Sequence, residues 1–115
     1  MDQSNPKRKP VGENESLMDF LPELLKRPAM FLEQAEASRL NCFLTGWQLC
    51  TDKLGFTDTR YEQFDTWLMD VKYGKGGSMR ALSRMIQEMG ETEALQWFKK
   101  SFEEYIELGS SGASH

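Results

Sequence analysis

Histidine is almost missing from this chain of 115 residues; the only one is His115, at the very end. That absence removes histidine triads, histidine general bases and histidine metal ligands as the chemistry of a folded site. Cysteine is nearly as scarce. Cys42 and Cys50 are the only two, too few for a four-ligand zinc site. Both fall in one strong helical pattern, where a rise of about 1.5 Å per residue would set them about 12 Å apart. A disulfide needs Cα atoms within about 7 Å, so an intact helix keeps them from bridging. Two reduced cysteines suit a cytosolic protein, and they are expected to fill core space. Long apolar runs are also lacking: nothing approaches the roughly 18 residues of a membrane-spanning helix. Met1 to Glu15 is polar, without the apolar region of a secretory signal. The expectation is a cytoplasmic protein without membrane contact. Alternation of apolar and polar residues bounded by hairpin turns is absent, and so are internal repeats.

What remains is helix. Leu17, Phe20, Leu21 and Leu24 repeat at helical spacing and predict a first helix over Ser16–Lys26, with Pro22 in its first turn or at a kink. Leu40, Phe43, Leu44, Trp47, Cys50 and Leu54 predict a second helix over about 37–54, stopped by Gly55 as a C-terminal cap. Gly46 inside it marks either a close helix crossing or a tolerated defect. Thr59-Arg60-Tyr61-Glu62 has the spacing of a capping box and predicts a third helix burying Phe64, Trp67, Leu68 and Val71. A fourth is expected from Ser78 to Gly90 with Met79, Leu82, Met85, Ile86 and Met89 on one side. A fifth, from Glu91 to Leu108, carries Ala94, Leu95, Phe98, Phe102, Tyr105 and Ile106. The predicted fold class is all-α, a small antiparallel bundle of four to five helices. Residues 1–14 and 109–115 read as tails around a single helical domain at 15–108.

Between the first two helices lies Arg27-Pro28-Ala29-Met30-Phe31-Leu32. Pro28 should end the first helix near Arg27. Met30, Phe31 and Leu32 are then expected to pin a rigid loop under the second helix. A buried Phe31 ring would make Phe31→Ala cost about 3–5 kcal/mol.

Charge is uneven. Residues 11–108 carry 17 acidic and 11 basic side chains, a net of −6, whereas Lys7, Arg8 and Lys9 cluster before them. A net acidic domain argues against nucleic acid as a partner and suits a basic protein partner. Asp58, Glu62 and Asp65 could share one helical face with Tyr61 nearby; those four form a candidate protein interface, carboxylates steering and the aromatic anchoring. Lys75, Ser78, Arg80 and Arg84 form a candidate anion site where a glycine-rich turn meets a helix start. It lacks the GxxxxGK[ST] spacing of a phosphate-binding loop. The bland readings are solvated faces. The methionines of the fourth helix are expected in the core, with an adaptable groove as the alternative. No catalytic residue, metal or cofactor is indicated, and a carboxylate enzyme is the least favoured reading.

Arg27-Pro28-Ala29-Met30-Phe31-Leu32 resembles the RPxMYLG signature of a group of small, mostly uncharacterised bacterial helical proteins. Gly46-Trp47 matches the G[YW] pair of that group, and Phe64 with Trp67 its FxxW-like stretch. Ala29 and Glu33 stand where the group has glycine. The resemblance covers about residues 17–106 and implies a helical fold. Some such proteins look like immunity proteins beside bacterial toxins. The functional expectation is a non-enzymatic protein-binding module, such as an immunity-type inhibitor; the alternative is an adaptor for an anionic or helical partner.

Overall fold

Ser16 stands before the first apolar stripe and caps it. Its hydroxyl accepts from the Met18 amide at 3.0 Å, and its own amide donates to the Asp19 carboxylate at 3.3 Å, which makes a capping box. The computed structural model describes residues 9–12, 14–74 and 80–113. In it, helix α1 (Leu17–Lys26) is followed by α2 (Pro28–Leu32), α3 (Ala37–Leu54), α4 (Thr59–Trp67), a π-helical segment (Leu68–Tyr73), α5 (Ala81–Met89) and α6 (Glu91–Ala113). The protein is all-α except for one clasp. Strands β1 (Lys9–Pro10) and β2 (Phe56–Thr57) pair in parallel, with the Lys9 amide on the Gly55 carbonyl at 2.9 Å and the Val11 amide on the Thr57 carbonyl at 3.0 Å.

That clasp ties residues 9–11 to the body, inside what reads from sequence as a tail. The rest of the expected tail, residues 1–8, lies outside the described residues. At the other end the α6 backbone continues to Ala113, past the Gly109 where a tail is expected. Pro22 sits in the middle of α1, beyond the first turn. Ser78, the expected start of the fourth helix, is outside the described residues; α5 begins at Ala81.

The core lies where the helices converge. Leu17, Leu21 and Leu24 from α1, Leu40 and Leu44 from α3, and Leu82 from α5 are fully buried. Phe64 is central, its ring 5.6 Å from Phe98 and 5.4 Å from Phe102, both edge-on, and 5.1 Å from Tyr105. α3 packs against α5 and α6, and α1 against α4.

The joint after α1 corrects the sequence reading. Arg27-Pro28 does not open a loop; Pro28 occupies the first turn of α2, where its fixed φ suits a helix start. A helix turns about 100° per residue, so three consecutive side chains cannot share one buried side. Leu32 is buried, Met30 points the opposite way at 69% exposure, and Phe31 is 40% exposed. Phe31→Ala is therefore expected to cost about 1–2 kcal/mol, the loss of a partly buried ring.

Other expected burials fail as well. The α3 stripe outruns the body it packs on: Leu40 and Leu44 are buried, Phe43 and Trp47 half-buried, and Cys50 and Leu54 exposed. Cys42 is exposed as well, so neither cysteine fills the core. Val71 is exposed because the chain after Trp67 is π-helical, with the Gly74 amide reaching back to the Met69 carbonyl at 3.0 Å. Wider turns delay the return of the buried face past residue 71. Phe20 and Ile106, at the edges of their stripes, are also exposed.

The α3 start has no cap of its own. Glu91, at the first position of α6, supplies one, accepting from the Ser38 amide at 2.8 Å and the Ser38 hydroxyl at 2.7 Å. These bonds, the amide's first, hold the Glu91 carboxyl below its ordinary value of 4.5. A lowered carboxylate stabilises the fold above that ordinary value, and the contribution drains as pH falls through the lowered one. Glu91→Ala is expected to cost about 1 kcal/mol at neutral pH. Urea titrations should show the gap from wild type closing as pH falls below 4.5.

Gly46 is exposed on α3, and a Cβ there would meet no atom within 4 Å. Among the described residues no helix crosses close to it, which favours the tolerated-defect reading. Gly46→Ala should raise stability by about 0.5–1 kcal/mol in the same titrations.

Candidate functional site

Asp58 follows β2 and caps α4, and it is 2% exposed. Its Oδ1 accepts from the Ser16 hydroxyl at 2.7 Å and the Tyr61 amide at 3.2 Å. Its Oδ2 accepts from the Leu17 amide at 2.7 Å and the Trp47 indole Nε1 at 3.0 Å. One carboxylate thus meets the N-termini of α1 and α4, where exposed amides and helix dipoles favour negative charge, and fixes Trp47 of α3. Just outside, Arg60 holds Asp19 with contacts of 2.9 and 3.0 Å.

Asp58, Tyr61, Glu62 and Asp65, the candidate protein interface, do not share one open face. The cap of α4 is Asp58, one residue before Thr59. Tyr61 is buried, and its hydroxyl accepts from the Arg80 guanidinium at 2.8 Å. Burial pushes that phenol well above its ordinary value, with Arg80 opposing. Asp65 is half-buried 3.6 Å from Arg80; burial raises its carboxyl and Arg80 again opposes. Of the four, Glu62 alone is exposed.

The candidate anion site changes in the same way. Lys75 and Ser78 lie outside the described residues. Arg80 is committed inward, to Tyr61, to the Gln48 side-chain carbonyl and to Asp65. Lys72, in the same basic run, holds Glu104 at 2.9 Å. Arg84 is exposed on α5. Of the fourth-helix methionines, Met85 is buried, Met89 half-buried, and Met79 outside the described residues.

An aromatic surface lies on α1, α2 and α3. Phe20, Phe31 and Phe43 form an aromatic ridge, Phe20 against Phe31 edge-on at 5.1 Å and against Phe43 at 5.8 Å. Met30, on α2, is exposed. Two open grooves flank the ridge. One, of about 260 Å³, is walled by Phe20, Phe43 and Trp47; the other, of about 710 Å³, by Phe31, Leu32, Cys42 and Phe43. At the lip of the second, Arg39 bridges Glu33 at 2.9 Å and Glu36 at 3.1 Å. Glu33 has a φ of +71°, where a glycine would be unstrained.

The sequence places Phe20, Phe31 and Phe43 in the core; Phe43 is half-buried against it, whereas Phe20 and Phe31 are exposed. The proline that opens α2 is the one local signal, and it bears on Phe31 alone.

Among the described residues, no three His, Cys, Asp or Glu side chains are placed to hold a metal, and no helix is long and apolar enough to cross a membrane. Comparison of the chain with protein-family models, with curated protein sequences and with solved structures finds no match.

Replacing Asp58 by asparagine turns an amide NH₂ toward buried donors. Asp58→Asn should lower stability by about 3 kcal/mol. Urea unfolding followed by tryptophan emission measures the loss, and the same comparison in a Trp67→Phe, Trp97→Phe background reports the broken Trp47 indole bond.

Proposed function

We propose that this chain is a non-enzymatic protein-binding module, in its most concrete form an immunity-type inhibitor of a bacterial toxin. One observation carries the reading: Phe20 and Phe31 form an exposed aromatic pair held on two helices, and Met30 is exposed on the same short helix as Phe31. Aromatic and methionine side chains of this kind are the usual anchors of protein interfaces. The net acidic charge of residues 11–108 suits a basic partner. Inhibition would work by occlusion, with the ridge seated against the partner and the acidic surface around it steering association.

An adaptor role is the second reading. Its anionic-partner form has little support, since Arg80 and Lys72 are engaged internally. Its helical-partner form would use the same ridge.

The test is co-expression with the product of the gene immediately upstream, followed by calorimetry on the purified pair. A complex and relief of toxicity are expected, both lost in a Met30→Ser, Phe31→Ser double variant whose circular dichroism is native. Undiminished toxicity with no complex overturns the inhibitor reading.

A further inference from the structure

The ridge is apolar, but the grooves beside it are not electrically neutral. Glu15 and Asp19 line the smaller groove. Glu33, Glu36 and Arg39 line the larger. The charged lining is thus four carboxylates and one guanidinium, a net of −3. Arg60, which holds Asp19 from outside, brings the local sum to −2. The Glu33 carboxylate stands well out into solvent, at 84% exposure. Both lips therefore present negative charge on either side of a central aromatic strip.

We propose that the ridge receives a basic amphipathic helical segment of a partner protein. The helix would lay apolar side chains along Phe20, Phe31 and Phe43, and lysine or arginine on its flanks would reach the two acidic lips. Apolar anchors at helical spacing are what a helix offers to a groove. Opposite charge at the rim sets orientation and speeds encounter more than it adds affinity. The proposal rests on the protein-binding reading above and adds the partner's chemistry to it.

Cys42 provides a built-in reporter. It is exposed and lines the larger groove, while Cys50 is exposed on the same helix and lines neither groove. The probes are three synthetic amphipathic helical peptides with leucine and phenylalanine on one face and lysine, glutamate or glutamine on the other. Calorimetry gives affinity, and the rate of modification by a thiol reagent gives location. The lysine peptide should bind and slow modification of Cys42 but not of Cys50. Phe31→Ser should weaken it by about tenfold or more. A Glu33→Gln, Glu36→Gln pair should weaken it several-fold and flatten its dependence on salt, as expected for partly exposed charges. Glu107→Gln on α6, outside both grooves, should change nothing.

Equal binding of the glutamate or glutamine peptide, with Cys42 protected, overturns the basic-partner inference and leaves the protein-binding reading standing. Failure of all three peptides to protect Cys42 in the natively folded chain removes the ridge as a binding surface, and that reading with it. Protection of Cys42 that grows with protein concentration and needs no peptide assigns the ridge to a second copy, and also overturns the inference.

Discussion

A single buried carboxylate organises this fold. Burying an ion without a neighbouring countercharge costs several kcal/mol, and Asp58 offsets that with four donors and two helix N-termini. The four donors come from three parts of the chain: a hydroxyl and an amide at the start of α1, an amide in the first turn of α4, and the indole of α3. Any shift of one helix strands at least one buried donor, which costs about 1–3 kcal/mol. The arrangement is therefore close to all-or-none. The β clasp serves it by fixing Phe56 and Thr57 immediately before Asp58. Arg80 does similar work further along α4, crossing to Tyr61, Gln48 and Asp65 and so tying α5 to α3 and α4.

Much of this could be read from the chain, for local reasons. Gly55 after the last apolar residue of α3 is a self-contained signal and ends α3 as expected, and the apolar spacing from Leu17 sets α1, whose Ser16–Asp19 cap is equally local. What failed was whatever depends on a distant partner. Asp58 and Thr59 are both good caps, and only the Ser16 and Trp47 donors decide between them. Periodicity shows which face of α3 is apolar, but not that its last two turns extend beyond the body. The π segment has no residue signature of its own, so Val71 could not be placed. The acidic residues of α4 looked like a surface because a carboxylate's buried partners lie some forty residues away in sequence.

The same polar junction explains why an exposed aromatic surface is tolerable. Fully burying a phenylalanine gains about 1.5–3 kcal/mol, and Phe20 and Phe31 each forgo part of that. The fold forgoes it because α1 is already oriented by Ser16 and Asp58 at its start, and α2 by Pro28, so neither ring can turn further inward. Glu33 adds its own strain directly after α2, at a position where glycine would relax it. Such costs leave rings that are fixed in place before any partner arrives. Phe20 and Phe31 already constrain each other edge-on, so seating a partner on them freezes few additional rotors. The apolar gain the folded chain leaves unrealised would then be available to the proposed association with little entropic loss. A rigid junction and an exposed ridge are in this sense one design: the buried carboxylate fixes the helices, and the fixed helices hold the rings out.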